Sequence, residues 1–388
     1  MSNPLKILFI PRWYPNRTDA LNGIFIKRHA LAVAMKHQVA VLYVNADPNL
    51  KDTLYEIVES QEDKILTICV YYNNSVLPIP IYSSVVKFFR YLVAGKIGAE
   101  VIKNKFGNPD ISHIHVLSRT SLLAKKFNAP TVISEQWSGY LPEDGAYKGF
   151  LKKWITKAAI NNAKAVSTVS KSLKDAMLSH GLKNNYSIIP NVVDVSLFSV
   201  LEKNIEHEKI ILLHVSNLDD RAKNVSGMIQ AVGEISKSRS DFEFHIVGDG
   251  PDREKLEKVA TENNLLNKHV FFLGTKSSAE VAEKMKQSDL FLLFSNYDNM
   301  PCVMIEAFAS GLPVVGSNMH GIGEHVKEGR GFAVKAGDVN AFANATLKAM
   351  NELHLFNKQE IRAYATNNFS YEAVSSQFDQ VYQKCIKQ

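Results

Sequence analysis

Two carboxylates eight residues apart, Asp298 and Glu306, lie where the sequence passes from a strand through a polar loop into a helix. The apolar residues 290–294 predict the strand, and Pro301 suits the first helical turn because that position needs no N–H donor. The free amides of residues 300–303 then form an anion site at the positive end of the helix dipole. Carboxylates beside such a site can accept hydrogen bonds from sugar or ribose hydroxyls. The alternative is a capping role for Asp298 and an ordinary helical position for Glu306.

Cations and glycines follow two further apolar segments in the second half of the chain. Arg221 and Lys223 come after residues 210–215, and two cations in a loop after a strand are more often solvated than bound to a ligand. Gly248 and Gly250 follow the next strand and form part of a dinucleotide-binding fingerprint without its third glycine, which is a weak signal.

Polar residues in the first half also follow predicted strands. Gly23 precedes a helix and lets the backbone approach a phosphate or an acceptor closely, although a plain turn glycine is the alternative. His113 and His115 end a strand, and one of the two is expected to be a buried structural histidine. Gln136 follows residues 131–134, and its amide can hydrogen-bond a sugar hydroxyl but carries no proton at neutral pH.

For these loops to form one site, the strands that precede them must end at the same edge of a sheet. Short β-branched or apolar runs alternate with helical-length segments along the whole chain, which is typical of parallel α/β sheets. The predicted fold class is α/β, with two Rossmann-like doubly wound domains, residues 1–192 and 193–370, joined near residues 190–209. A last helix, 371–388, is predicted to pack back on the first domain, although composition alone does not determine that crossing. Open parallel sheets bind ligands beyond the carboxyl ends of their strands, so two facing edges predict one interdomain cleft.

The composition excludes several classes of protein. The chain has 388 residues, 46% of them hydrophobic and 22% charged, which is ordinary for a folded protein of two domains. Three scattered cysteines lack metal-binding or redox spacing and favour a reducing compartment. No apolar run approaches the roughly 20 residues that span a bilayer, and the start of the chain lacks the apolar segment of a signal peptide. A cytoplasmic protein without a membrane span is therefore expected.

The net charge of +6 is unevenly distributed. Residues 1–190 carry 24 Lys and Arg against 13 Asp and Glu, whereas the remainder carries 21 against 26. A basic first half can face an anionic membrane, nucleic acid or only water. No sequence motif for nucleic-acid binding is present to support nucleic acid as the partner. Residues 87–92 and 148–154 mix basic and aromatic side chains, which suits contact with anionic lipid. We therefore predict peripheral contact with the inner face of a membrane, against the alternative that these apolar side chains belong to the core.

The segment 294–317 resembles the E-x7-E signature of GT-B glycosyltransferases, in particular the retaining nucleotide-sugar-dependent enzymes of family 4. Asp298 and Glu306 match its spacing, although the family usually has Glu at the first position. Residues 214–232 resemble the family's diphosphate-binding loop, and residues 320–334 resemble its Gly-Gly-x-Pro-Glu stretch. The resemblance therefore extends along most of the second half, with further matching segments in the first.

The resemblance implies a role for each matching residue. Catalytic roles fall to Arg221, Lys223 and Asp298. The implied donor-binding residues are Gly23, Asn217, Gly248, Gly274, Thr275, Asn299, Met300, Pro301, Cys302, Val303 and Glu306. The implied acceptor-side residues are His115, Glu135 and Gln136. Asn217 stands where the family usually has Arg, and Gln136 where it commonly has His.

Taken together, the matches imply a glycosyltransferase that moves a sugar from a nucleotide-sugar donor to an acceptor hydroxyl with retention of configuration. The implied acceptor is a glycan or a lipid-linked glycan in cell-surface polysaccharide synthesis. No Asp-x-Asp motif is present, which agrees with a metal-independent enzyme, and no metal, cofactor or nucleic-acid partner is expected. Two alternatives stay open: a nucleotide-sugar epimerase or hydrolase of the same fold, and a non-catalytic sugar-nucleotide-binding partner subunit.

Overall fold

The computed structural model describes residues 3–76, 79–200 and 208–387, and its first sheet has eight strands. These are β1 Lys6–Pro11, β2 Gln38–Asp47, β3 Tyr55–Glu62, β4 Ile65–Asn73, β5 Ile111–His115, β6 Thr131–Glu135, β7 Ala165–Thr168 and β8 Tyr186–Ile188. Their order is β3-β4-β2-β1-β5-β6-β7-β8. Every neighbouring pair is parallel except β3 with β4.

The central strands are apolar on both faces because helices cover both sides of the sheet. In β1, Ile7 and Phe9 lie in one hydrophobic cluster, Leu8 and Ile10 lie in another, and all four side chains are fully buried. The helices of this half are α1 Ile24–Ala34, α2 Pro80–Lys105, α3 Thr120–Ala124, α4 Phe150–Asn162 and α5 Lys171–Ser179. Helices α2 to α5 pack on the cluster of Leu8, and α1 packs on that of Phe9.

The second sheet is wholly parallel. Its strands are β9 Ile210–Val215, β10 Phe242–Val247, β11 Val270–Phe272, β12 Leu290–Leu293, β13 Val314–Ser317 and β14 Gly331–Val334, in the order β11-β10-β9-β12-β13-β14. Its helices are α6 Asp220–Lys223, α7 Val225–Ser236, α8 Arg253–Glu262, α9 Ser278–Lys286, α10 Cys302–Ala309, α11 His320–His325, α12 Val339–Asn351 and α13 Lys358–Phe369. The two sheets confirm the predicted α/β fold class with two doubly wound units.

Helix α14, Tyr371–Lys387, returns to the first sheet and lies beside α1. Its Phe378 and Tyr382 are buried in the cluster of Phe9, and the Tyr382 hydroxyl hydrogen-bonds Nδ1 of His113 at 2.7 Å. The last helix thus covers the same side of the first sheet as α1. The domain limits themselves stay predictions. Residues 1–2, residue 388 and residues 201–207 of the predicted junction lie outside the described residues.

Strand β3 differs from the sequence prediction, which had no strand there. Glu56, Glu59 and Glu62 make the segment polar, and most of its side chains are exposed at the edge of the sheet. The strand forms through antiparallel pairing with β4 along its whole length rather than through an apolar face. Charged side chains on an edge strand also discourage pairing with other chains. Strands β8 and β14 were not predicted either, since both lie at sheet edges and most of their side chains are only partly buried.

Candidate active site

The loops that follow β9 and β12 meet at the carboxyl edge of the second sheet. The backbone amide of Asn296 donates to the carbonyl of Ala222 at 2.8 Å, and its side-chain amide donates to the carbonyl of Arg221 at 3.0 Å. Lys223, which ends α6, donates to Oδ2 of Asp298 at 2.5 Å. Two of the predicted catalytic residues, 75 positions apart, are therefore in direct contact.

Asp298 keeps Lys223 in its charged form. Burial lowers the pKa of the Lys223 ammonium, but the attraction and hydrogen bond of Asp298 outweigh burial, so the pKa is raised. Arg221 is exposed, and its Cζ lies 5.8 Å from the centroid of the Tyr297 ring. In the part of the chain that the structure describes, Arg221 forms no ion pair. One paired cation and one unpaired cation thus lie beside the loop after β12.

Helix α10 presents its positive end to the same loop. Pro301 has extended backbone and precedes Cys302, the first helical residue. Among the described residues, the amides of Cys302 and Val303 have no hydrogen-bond acceptor, so two donors stay available to an anion. Burial raises the pKa of the Cys302 thiol to about 12, so this thiol is neutral at pH 7 and is no nucleophile.

Glu306 lies one turn inside α10 and pairs with a cation from the first domain. Its Oε1 accepts a hydrogen bond from Nη1 of Arg28 at 2.7 Å, and both side chains are about one-tenth exposed. Burial opposes the charge on Arg28, yet the attraction of Glu306 leaves the pKa of the guanidinium raised. Oε2 of Glu306 accepts no hydrogen bond from the described residues. The pair therefore joins α1 to α10 across the cleft and leaves one carboxylate oxygen for a ligand.

Glycines hold two neighbouring loops of the second sheet close together. Gly248 has φ +126°, and a Cβ there would lie 1.8 Å from the carbonyl oxygen of Ser216. Its amide donates to the carbonyl of Gly274 at 2.9 Å. The predicted donor-binding residues Asn217 and Thr275 are exposed beside these glycines. The structure thus brings the loops after β9, β10 and β11 to one edge, as expected for a nucleotide site.

The first domain contributes Gly23 and Gln136 to the opposite side. Gly23 has φ +66°, and a Cβ there would lie 2.4 Å from the Trp13 carbonyl, so only glycine fits. Gln136 Nε2 hydrogen-bonds Nδ1 of His29 at 3.0 Å. The backbone carbonyl of Gln136 accepts a hydrogen bond from Nδ2 of Asn299 at 2.7 Å. Asn299 follows Asp298, so this contact sets the loop of Gln136 beside the predicted sugar position.

Glu135 and His115 have no surface that faces the cleft. Glu135 is fully buried and accepts hydrogen bonds from the amides of Leu117, Gln136 and Trp137 and from the Tyr140 hydroxyl. Burial raises its pKa against the effect of these donors. His115 is fully buried, its ring is stacked 4.4 Å from Phe9, and neither ring nitrogen has a partner in the described residues. Contact of Glu135 or His115 with an acceptor stays a prediction, and in this conformation Glu135 organises the loop instead.

Sequence reasoning missed the contacts that join the two domains. Glu324 of α11 accepts hydrogen bonds from the amide of Ser172 at 2.8 Å and from its hydroxyl at 2.6 Å, at the start of α5. Asn191 donates to the carbonyl of Met300 at 2.8 Å. Arg28 was missed as well, and its only signal was its place on the helix that follows Gly23. The two residues of each of these contacts are more than 100 positions apart in the sequence, so no local pattern predicts the contact.

The described residues set two further limits. Within residues 3–76, 79–200 and 208–387, no three His, Cys, Asp or Glu side chains cluster so as to hold a metal ion. No helix in these ranges is both long and apolar enough to cross a bilayer.

Two sheets whose strand ends face one cleft, with cations and a free helix N-terminus on one side, define a GT-B glycosyltransferase. Residues 199–367 match the family model described as glycosyl transferases group 1, and residues 27–197 match that of glycosyltransferase family 4. The chain belongs to this family of retaining glycosyltransferases.

Relatives and solved structures of several activities resemble the chain. It is 30% identical over 189 residues to the N-acetyl-alpha-D-glucosaminyl L-malate synthase of Bacillus anthracis, a match that covers 48% of each chain. It is 25% identical to the phosphatidyl-myo-inositol mannosyltransferase of Mycobacterium leprae, over 79% of this chain and 81% of that protein. The crystal structure of Anabaena HepE with UDP and glucose has a TM-score of 0.72 and 17% identity, over 98% of this chain and 99% of HepE.

Proposed function

We propose that the chain transfers a sugar, with retention, from a nucleotide-sugar donor held by the second domain to a hydroxyl of an acceptor held by the first. One observation carries the proposal: Lys223 and Asp298 lie in contact beside the free N-terminus of α10. A diphosphate needs cations and amide donors, and a donor sugar needs a carboxylate acceptor nearby. HepE, a protein of the same fold, was solved with UDP and glucose, which supports a nucleotide-sugar donor.

The proposed step is the departure of the nucleoside diphosphate from an oxocarbenium-like carbon. Lys223, Arg221 and the amides of Cys302 and Val303 stabilise the negative charge that develops on the leaving diphosphate. Asp298 pairs with Lys223, and a bound diphosphate takes over part of that contact. Asp298 then turns to the sugar hydroxyls. The acceptor hydroxyl forms its bond to that carbon on the side from which the diphosphate departs, and its proton passes to the departing phosphate oxygen. No protein nucleophile or base is assigned, because the front-face mechanism that the family resemblance implies needs none.

Thermal stabilisation by ligands tests the donor site. UDP, GDP, ADP and their common sugar conjugates are screened at about 100 times the dissociation constant, where binding adds about 2.7 kcal/mol to the free energy of unfolding. We expect one nucleoside diphosphate to raise Tm by several degrees, and its sugar conjugate to raise it at least as far. Nucleosides without phosphate serve as the control. No shift with any nucleoside diphosphate would contradict the proposal.

The two rival functions are separated by the products. An epimerase changes the configuration of the sugar while the nucleotide sugar stays intact, and it needs no acceptor. A binding partner subunit shifts in Tm with the nucleotide but releases no nucleoside diphosphate. A hydrolase releases the diphosphate and passes the sugar to water, and an acceptor does not speed the release. A transferase passes the sugar to an acceptor and only slowly to water, so an acceptor speeds the release.

For the acceptor we propose a lipid-linked molecule that is reached at a membrane surface. Helix α2 exposes Ile81, Val85 and Phe89 at helical spacing, with exposed fractions of 81%, 47% and 61%. Helix α4, on the same side of the first sheet, exposes Phe150 and Trp154 by 86% and 62%. Apolar side chains of this size in the more basic half of the chain suit the headgroup boundary of an anionic bilayer. Leu92, by contrast, packs against the core.

Liposome flotation tests the membrane proposal. Each basic residue at an anionic surface contributes only about 1 kcal/mol, so binding should be reversible and salt-sensitive. We expect the protein to float with phosphatidylglycerol vesicles at low salt, and to float less at high salt or with phosphatidylcholine alone. The Phe89→Ser/Trp154→Ser variant should float less, whereas the control Leu355→Ser, at a 66% exposed leucine of the second domain, should not differ. Protein left in solution with anionic vesicles at low salt would make a water-soluble acceptor the better proposal.

A further inference from the structure

Two cationic side chains of the first domain lie near the same aromatic ring beside the cleft. The guanidinium carbon of Arg12 lies 5.6 Å from the centroid of the Trp137 ring, and Nζ of Lys152 lies 3.8 Å from the same centroid. Arg12 also lies 4.8 Å from the ring of Trp13. In the part of the chain that the structure describes, neither cation forms an ion pair with a carboxylate. An anion bound between two unpaired cations would be attracted by both and would relieve their repulsion.

The fold fixes the backbone positions of these residues, and the side chain of Lys152 is exposed to solvent. Arg12 follows β1, where its amide donates to the carbonyl of His115 at 2.9 Å. Trp137 follows β6, where its amide donates to the buried carboxylate of Glu135 at 3.1 Å. Lys152 lies in the first turn of α4, and its only hydrogen bond in the described residues is a long one, 3.4 Å, to the carbonyl of Ala146.

Neighbouring carboxylates are already engaged. Glu135 accepts three hydrogen bonds from its own loop and one from the amide of Leu117, and Asp144 accepts one from the Ser138 hydroxyl at 2.6 Å. Burial first and the charge of Arg12 second lower the pKa of Lys152, against the attraction of Glu135 and Asp144. The two cations are therefore close enough to repel each other, and the nearby carboxylates leave that repulsion in place.

The location links the cations both to the reaction and to the exposed face of α4. Gln136, next to Trp137 in the chain, accepts a hydrogen bond from Asn299 of the donor loop. On the other side, Phe150, Leu151 and Trp154 of α4 are exposed by 86%, 66% and 62% around Lys152. An acceptor that fits this place has an anionic group near its reacting hydroxyl and an apolar chain further out.

We propose that Arg12 and Lys152 bind a phosphate group of the acceptor, with Trp137 as the platform between them and the apolar side chains of α4 as the contact for its chain. The inference rests on the proposed transfer reaction, since it assigns the acceptor side of the same cleft. The shared chemistry is a phosphate ester. A lipid phosphate and a water-soluble phosphate are its two sources, and the exposed α4 face favours the first.

Binding of n-decyl phosphate, kept below its micelle concentration, tests the site by calorimetry. The nucleoside diphosphate that gives the largest thermal shift is present at saturation throughout, so that the proposed diphosphate site is occupied. Arg12→Gln and Lys152→Gln should each bind decyl phosphate at least tenfold more weakly than the wild type, whereas Lys157→Gln, at an exposed lysine of the same helix, should bind as the wild type does. Arg12→Lys, which keeps the charge, should retain more affinity than Arg12→Gln and controls for damage to the fold.

Glycerol 2-phosphate separates the two sources, because it carries the phosphate without a chain. Much weaker binding than decyl phosphate supports the lipid source. Equal binding that is equally sensitive to Arg12→Gln supports the phosphate site and assigns a soluble acceptor. Wild-type affinity for decyl phosphate in both glutamine variants overturns the inference. Stabilisation by UDP, GDP and ADP is measured on the same samples, so its absence in the wild type with all three would count against the proposed function and not against this site.

Discussion

Replacing Lys223 by alanine is expected to lower kcat/KM for sugar transfer about 30- to 900-fold, which corresponds to about 2–4 kcal/mol of transition-state stabilisation. Lys223 lies in contact with Asp298 beside the free amides of α10, so its charge is placed before the donor arrives. Removing it deletes a preorganised cation and leaves Asp298 unpaired where the diphosphate must bind. Both effects oppose departure of the nucleoside diphosphate.

The Lys223 experiment needs a control of the same type. Lys258→Ala removes a lysine that is 75% exposed on α8 of the same domain, and it should leave kcat/KM unchanged. Steady-state rates with the preferred donor, with thermal unfolding of each variant as a check on folding, give the comparison. Wild-type turnover in folded Lys223→Ala would remove this residue from the site.

Glu306→Gln is expected to weaken the binding of nucleoside diphosphate, even when no sugar is attached, by about 10- to 100-fold. The free Oε2 of Glu306 is the proposed acceptor for a ribose hydroxyl, and a hydrogen bond to a charged group contributes about 1.5–3 kcal/mol. Asp298→Asn should spare the free nucleoside diphosphate and weaken only the sugar nucleotide. Calorimetric titration of both ligands into both variants measures the difference. Equal losses for the two ligands in Asp298→Asn would contradict the assignment of Asp298 to the sugar.

The ion pair between Arg28 and Glu306 provides a control for the Glu306→Gln experiment. Glu306→Gln strands a buried guanidinium, and breaking a buried pair from one side costs about 3–5 kcal/mol of stability. The double variant Arg28→Met/Glu306→Gln removes that cation and should recover much of the lost Tm without recovering nucleotide affinity. If the double variant bound UDP as tightly as the wild type, Glu306 would have a structural role only.

Much of the fold could be predicted from the sequence because parallel strands covered on both faces are nearly continuous apolar runs. Ile7 to Ile10 illustrate this, since successive side chains enter two different clusters and all are buried. The loops after such strands meet at one edge as a matter of topology. Lys223 and Asp298 belong to separate loops, and this topology explains why they lie in contact.

The remaining features of the fold and the site could not be predicted, because they depend largely on contacts between residues that are far apart in the sequence. The charge of Arg28 predicts a surface position, and only the approach of α10 from the other domain explains its burial. Glu135 ends a strand as a ligand-binding carboxylate would, yet three donors from its own loop and the amide of Leu117 hold it inside. Strand β3 has a polar sequence and pairs with β4 along its whole length. For Arg28 and for β3, the deciding partner is set by the fold and leaves no local pattern.

Release of nucleoside diphosphate from the donor tests the central claim most directly. The nucleotide sugar that gives the largest thermal shift is incubated with wild-type protein and with Lys223→Ala, without acceptor, and both products are quantified. We predict slow release of the diphosphate and free sugar by the wild type, and release at least 30-fold slower by Lys223→Ala. A donor that stays intact with the wild type, or one whose sugar only changes configuration, would contradict the account.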